Sequence, residues 1–114
     1  MSGGIDDFIA DSSAKNKRSQ KHFIVFDTVS LYILNPLPEN VNILEVIESV
    51  ENKIPSHLVS YIDAVYVGTF KEFEEKQINA MYRDGAVYVS NNQDNVADMV
   101  DDIIHEIAHA SESE

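Results

Sequence analysis

Two histidines and a glutamate near the end of the chain have the spacing of a metal-dependent hydrolase. His105, Glu106 and His109 form the pattern His-Glu-x-x-His. On a helix the two imidazoles lie one turn apart, so both reach one Zn²⁺ ion at the roughly 2.0 Å of a zinc–nitrogen bond. Zinc lowers the pKa of a bound water toward about 7, and the carboxylate of Glu106 can accept the proton of that water. The pattern predicts His105 and His109 as zinc ligands and Glu106 as the general base of amide hydrolysis.

A helix from about Val96 to the end of the chain must carry this pattern. Its apolar residues recur at helical spacing and form one stripe that can pack on a sheet: Val96, Met99, Val100, Ile103, Ile104 and Ile107. At 100° per residue, with Val96 at 0°, His105 and His109 project at about 180° and 220°, away from that stripe. Ala108 and Ala110 are small and leave room for an ion and a substrate. The alternative interpretation is that both histidines belong to the solvated face of an ordinary amphipathic helix.

Strand and helix patterns alternate through the rest of the chain and predict an α+β or mixed α/β domain. A sheet of three to five strands packs on the last helix, and a helix over Ile43 to Lys53, capped by Asn40 or Asn42, also covers it. Asp84-Gly85 between two apolar runs predicts a hairpin, because both residues tolerate a positive φ. Residues 57–62 are expected to form a short helical turn, and residues 71–77 a loop or a short surface helix. The strand-like runs are residues 22–29 continued by 31–34, then 64–70, 79–82 and 86–89.

Length, charge and composition narrow the function classes. The 114 residues are enough for one domain, which we assign to residues 21–114, with residues 1–20 as an N-terminal leader. A net charge of −12 disfavours nucleic acid and anionic membranes as partners, since both attract Lys and Arg. Without cysteine, any metal site must use His, Asp and Glu. No apolar run is long enough for a membrane span and no signal peptide begins the chain, so we expect a cytoplasmic protein.

The segment from Asn79 to Ala110 resembles the zincin metallopeptidases, and within them the gluzincin branch typified by thermolysin. Residues 78–82 resemble the edge strand of that family, residues 83–89 the turn and strand that follow, and residues 102–110 the active-site helix. The resemblance implies a zincin-like fold, zinc as the cofactor and a peptide or protein as the substrate. It also implies that Asn79 and Ala80 pair with the main chain of the substrate by strand addition.

This interpretation leaves the third zinc ligand unassigned. Catalytic zinc takes three protein ligands and a water, and the motif supplies only two protein ligands. In gluzincins the third ligand is a Glu on a later helix, and only five residues follow His109 here. Three explanations stay open. The chain lacks the usual C-terminal part; a local carboxylate substitutes, with Glu112 or Asp101 as the candidate; or the domain keeps the fold without activity.

Two other function classes compete with zinc-dependent peptide hydrolysis. The first is an inactive zincin-like domain that binds a protein partner through the hairpin edge. The second is an acidic decoy that imitates nucleic acid, which would require carboxylates arrayed over one face. In this sequence the carboxylates are spread among the helices and the termini, which disfavours the decoy. The oligomeric state is not predicted by any pattern in the chain.

Overall fold

One mixed sheet of five strands organises the domain in the computed structural model, which describes residues 21–113. The strands are β1 (Lys21–Val25), β2 (Val29–Ile33), β3 (Ala64–Gly68), β4 (Ala80–Arg83) and β5 (Ala86–Ser90). Their order across the sheet is β1-β2-β3-β5-β4. The central pairs β2–β3 and β3–β5 are parallel, while the outer pairs β1–β2 and β4–β5 are antiparallel. The predicted α+β class and the upper end of the expected strand number are confirmed.

Two of the helices in the described residues begin at asparagine caps. The helices are α1 (Ile43–Lys53), α2 (Lys71–Lys76) and α3 (Val96–Ser113), with a 3₁₀ turn at Ser56–Val59. The Oδ1 of Asn42 accepts the Leu44 N–H at 2.8 Å, which decides between the two predicted caps of α1. The Oδ1 of Asn95 accepts the Asp98 N–H at 2.8 Å in the same way. A side-chain oxygen at this position satisfies an N–H that has no partner within the helix.

The core lies between one face of the sheet and helices α1 and α3. Alternate strand residues point to this face because side chains in a strand alternate between its two sides. The helices α1 and α3 also pack against each other. The fully buried residues of the strands and α3 include Val29, Leu31, Val67, Val87, Val89, Met99 and Val100. The predicted apolar stripe of α3 is therefore confirmed as its core-facing side.

The first strand prediction was wrong in one respect, because residues 22–34 form a hairpin and not a continued strand. The chain reverses at Phe26 and Asp27, whose φ values are 54° and 62°. The Thr28 N–H donates to the Val25 carbonyl at 3.3 Å, and Glu51 of α1 accepts the Phe26 N–H at 2.8 Å. The predicted Asp84-Gly85 hairpin is confirmed, with φ values of 51° and 85° at its two turn residues.

Side-chain amides tie together the carboxyl ends of the parallel strands. The Thr69 N–H donates to the Asn35 Oδ1 at 2.8 Å, which joins the end of β3 to the end of β2. The Thr69 hydroxyl meets the Asn91 Oδ1 at 2.9 Å, and the Asn91 amide donates to the Pro36 carbonyl at 2.8 Å. These bonds fix the loops that lead into α2 and α3.

Two sequence predictions concern the N-terminal leader and the absence of a membrane-spanning segment. The leader assigned to residues 1–20 lies outside the described residues. Within residues 21–113, no helix has both the length and the apolar character needed to cross a membrane.

Candidate functional site

The side chains of His105 and His109 come together on the exposed side of α3. Their Nε2 atoms are 2.9 Å apart, and the two rings are nearly perpendicular with centroids 4.4 Å apart. The predicted one-turn separation therefore brings the two ring nitrogens to a common point. Without a metal ion this contact needs a proton on one nitrogen and a lone pair on the other, whereas a shared ion would need lone pairs on both.

The burial pattern of α3 explains why both histidines face solvent. Ile103 and Ile107 are buried in the core, and His105 and His109 are exposed on the opposite side of the same two turns. Ala108 is exposed near the pair, but Ala110 is fully buried in the core. Ala110 therefore packs in the core. The prediction that its small side chain leaves room beside the histidines is wrong.

Glu106 lies between the histidines in sequence and is half-buried. Within residues 21–113 its carboxylate makes no hydrogen bond or ion pair. A helix turns 100° per residue, so its side chain leaves α3 beside the pair and not on the line that joins the two imidazoles. This position suits a group that acts on a molecule held next to the histidines.

A third ligand is not brought to the pair. Among the described residues 21–113, no group of three or more His, Cys, Asp or Glu side chains has the arrangement to hold a metal ion. The helix α3 runs unbroken to Ser113, so Glu112 stays about 10.5 Å along the axis from His105, where seven residues rise 1.5 Å each. Glu112 as a ligand stays a prediction that requires the end of α3 to unwind. Asp101 is exposed one turn before His105 and does not complete a group of three either.

Among the described residues 21–113, the predicted substrate strand is the free edge of the sheet beside α3. β4 is the last strand in the sheet order, and α3 packs against both β4 and β5. The Asn79 carbonyl accepts the Ser90 N–H at 2.8 Å, so this backbone group of Asn79 is used within the sheet. Hydrogen-bonded and non-hydrogen-bonded pairs alternate in an antiparallel ladder, so the backbone groups of Ala80 point away from β5. Of the two predicted residues, Ala80 offers the free main chain.

An open groove of about 450 Å³ connects this edge with the first turns of α3. The sequence pattern did not place the carboxylates of this groove beside Asn79. A second groove, of about 430 Å³, continues past Asn79 and Asn92 toward α2. The residues that line the first groove are Asn79, Asn92, Gln93, Asp94, Asp98, Asp101 and Asp102.

The carboxyl group of Asp102 lies in this groove, and its pKa is raised above the ordinary value for Asp. Burial raises the pKa of Asp102, and the nearby carboxylates of Asp98 and Asp101 raise it further. The Gln93 amide donates to the Asp102 Oδ2 at 3.3 Å, and the charge of His105 also acts to lower the pKa. Asp102 therefore links the acidic groove electrostatically to the histidine pair.

Comparison of the chain with protein-family models, with curated proteins and with solved structures gives no match.

The resemblance to the zincin metallopeptidases is wrong. A zincin is a helix-rich fold with a complete metal centre, whereas residues 21–113 form a domain dominated by a five-stranded mixed sheet. In these residues the two histidines have no third metal-ligating side chain beside them. The physical reason is local: the motif fixes two nitrogens one turn apart, but a third ligand depends on contacts that the motif does not contain.

Proposed function

We propose that the protein is a metal-dependent hydrolase of peptide bonds, with His105 and His109 binding one zinc ion and Glu106 acting as the base. The observation that carries the proposal is the 2.9 Å separation of the two Nε2 atoms on an exposed helix face. The proposal concerns the reaction and not membership of a known peptidase family. We place the protein in the cytoplasm.

The separation of the two nitrogens fits a shared ion. Two nitrogens at roughly 2.05 Å from zinc and 2.9 Å from each other subtend an angle of about 90° at the ion. A tetrahedral angle requires about 3.4 Å, which small rotations of the two exposed rings provide. His105 and His109 are thus suited to two coordination positions, and water and substrate are left to occupy the others.

The neighbouring residues support roles in hydrolysis. Zinc, when bound, supplies a Lewis acid that lowers the pKa of a bound water and polarises a carbonyl group. Glu106 has no competing ion pair within residues 21–113, so its carboxylate is available to take a proton from that water and give it to the leaving amine. Ala80 on the free edge of β4 offers main-chain groups to an extended peptide, and Asn79 flanks it in the adjoining groove.

The first test is zinc stoichiometry on the full-length protein, measured by mass spectrometry and by calorimetric titration. We expect one zinc per chain at micromolar free zinc, and loss of that zinc in His105→Ala and in His109→Ala. The matched control is His57→Ala, because His57 is also exposed but lies in the 3₁₀ turn. Absence of zinc from the intact chain, or equal loss in the His57 variant, would reject the proposal.

The second part of the test separates binding from chemistry. We expect Glu106→Gln to keep its zinc and to lose at least about 100-fold in the cleavage of a fluorogenic peptide library, as general-base removal does. Glu48→Gln, exposed on α1, is the matched control, and Glu112→Gln near the C-terminal end of α3 tests the candidate third ligand. If Glu112→Gln loses zinc as His105→Ala does, Glu112 is the third ligand, and its turn of helix opens when zinc binds.

A second candidate function is binding of a protein partner without catalysis, and the free edge of β4 favours it. An extended segment that adds to this edge pairs with main-chain groups and needs no metal. The two functions differ in their dependence on the histidines. Binding of an extended peptide that survives both a chelator and the change His105→Ala, with no cleavage, would favour this second function over hydrolysis.

A further inference from the structure

The face of the sheet opposite the core carries a row of stacked rings. His22, Tyr32, Tyr66 and Tyr88 lie on adjacent strands in register and point to the same side. Their neighbouring ring centroids are 4.7, 5.5 and 5.3 Å apart, with interplanar angles of 9°, 15° and 26°. We call these four residues the ring row. Aromatic rings in this arrangement stabilise each other across neighbouring strands.

One end of the ring row is covered and the other is not. At the β5 end, Phe70 packs edge-to-face on Tyr88 at 5.5 Å and on Phe73 of α2 at 5.0 Å. Across β1, β2 and β3, none of residues 21–113 covers the row, since α1 and α3 lie on the other face. Two large apolar side chains flank this uncovered part, Ile24 with 49% of its surface exposed and Leu34 with 37%.

The orientation of the rings limits what can occupy the uncovered part. Their faces are turned toward one another, so the outward surface consists of ring edges and hydroxyl groups. Nucleobases stack on open ring faces, which this row does not offer. A nucleic acid also needs positive charge, and the only charged strand residue on this face within the described chain is Arg83. The Glu72 carboxylate already pairs with Arg83 at 2.7 Å. Ring edges flanked by aliphatic side chains suit an apolar polypeptide segment. Its carbonyls can accept hydrogen bonds from the Tyr32 and Tyr66 hydroxyls, which have no hydrogen-bond partner within residues 21–113.

We propose that the uncovered part of the ring row is the docking site of the protein's own N-terminal segment, residues 1–20, through Phe8 and Ile9. The segment joins the sheet at Lys21, directly before His22, which is the first ring of the row. Its large apolar residues besides Met1 are Ile5, Phe8 and Ile9, spaced three and four apart.

The length of the segment is sufficient for this contact. The row from His22 to Tyr88 crosses three strand spacings, which is about 14 Å. The twelve Cα–Cα steps from Ile9 to Lys21 can extend to about 40 Å, so Phe8 and Ile9 can reach every ring of the row. Because the segment is tethered, its effective concentration at the face is high, which favours it over a separate chain.

The test uses a spin label in the full-length protein, which contains no cysteine of its own. The measurement is the intensity of backbone amide signals in NMR spectra of isotope-labelled protein. A nitroxide attached at Ser13→Cys is expected to reduce the signals of Tyr32 and Tyr66 more strongly than that of Glu48, which is exposed on α1. The double change F8S/I9S in the same labelled background is expected to restore those signals. Unchanged Tyr32 and Tyr66 signals, or a signal loss that persists in F8S/I9S, would overturn the proposal.

A mixing control distinguishes the tethered segment from a second copy of the chain. Spin-labelled protein without isotope label is mixed with isotope-labelled protein that carries no spin label. The proposal requires the Tyr32 and Tyr66 signals to keep their intensity in this mixture. A signal loss in the mixture would assign the ring row to contact between two copies and overturn the proposal.

Discussion

Asp102, near the histidine pair, is partly buried, and this burial disfavours the ionised form of its carboxyl group. Its carboxyl group lies among Asp98, Asp101 and the Gln93 amide, and burial raises its pKa above the ordinary value for Asp. The folded state therefore holds the proton of Asp102 more tightly than the unfolded chain does. The free energy of unfolding that this proton contributes is complete below the unfolded pKa and is lost as pH rises through the folded pKa.

We expect Asp102→Asn to raise the free energy of unfolding at pH 7, because an amide carries no buried charge and still accepts the Gln93 hydrogen bond. The gain should be small, since the group is only partly buried, and it should shrink as pH falls toward 4. Urea unfolding at a series of pH values measures it. Glu48→Gln, exposed on α1 and not among the groups that act on Asp102, serves as the control. An equal loss of stability at every pH would contradict the expectation.

At the scale of elements, the two hairpins place the edge strands on either side of the parallel centre. The β4–β5 turn has positive φ at Asp84 and Gly85, and the Gly85 carbonyl accepts the Asp63 N–H at 2.7 Å. A Cβ on Gly85 would lie 3.1 Å from the Asp63 Oδ2, which is tight. This turn sets the register of β4, the edge strand against which α3 packs.

We expect Gly85→Ala to lower the free energy of unfolding by about 1 to 2 kcal/mol, from the positive φ and the close carboxylate together. Chemical denaturation measures this change. Asp84→Asn is the matched control, because Asn suits a positive φ in this type of turn and should be nearly neutral. Similar losses in the two variants would mean that the turn conformation is not what Gly85 supplies.

At the scale of the whole molecule, α3 joins the core to the candidate site. One side of the helix buries Met99, Val100, Ile103 and Ile107, while the other presents His105 and His109. Contacts of α3 with α1, β4, β5 and the 3₁₀ turn hold it in place. The histidine pair is therefore carried by a helix whose other side is packed in the core.

We expect Met99→Ala to cost about 2 to 5 kcal/mol of unfolding free energy, because the side chain is fully buried and its removal leaves a cavity. Leu44→Ala on α1 is the control, since 60% of Leu44 is exposed and its loss should cost less than about 0.5 kcal/mol. Thermal and urea unfolding measure both. Equal costs would contradict the assignment of α3 to the core.

The sequence by itself determined the features that depend on local geometry. The stripe of α3, the projection of His105 and His109 away from it, and the Asp84-Gly85 hairpin all follow from the turn of a helix or from tolerance of a positive φ. These signals involve residues within about four positions of each other.

Tertiary structure decided what depends on distant residues. The reversal at Phe26 relies on Glu51, 25 positions away, and contains no glycine to mark it. The strand order places β5 between β3 and β4, and Asn35 binds Thr69 across 34 positions. The surroundings of the histidine pair also depend on distant residues, because a third ligand requires another chain segment to meet the helix there. A local motif fixes the direction of a side chain, but only the packing of separate segments determines its neighbours.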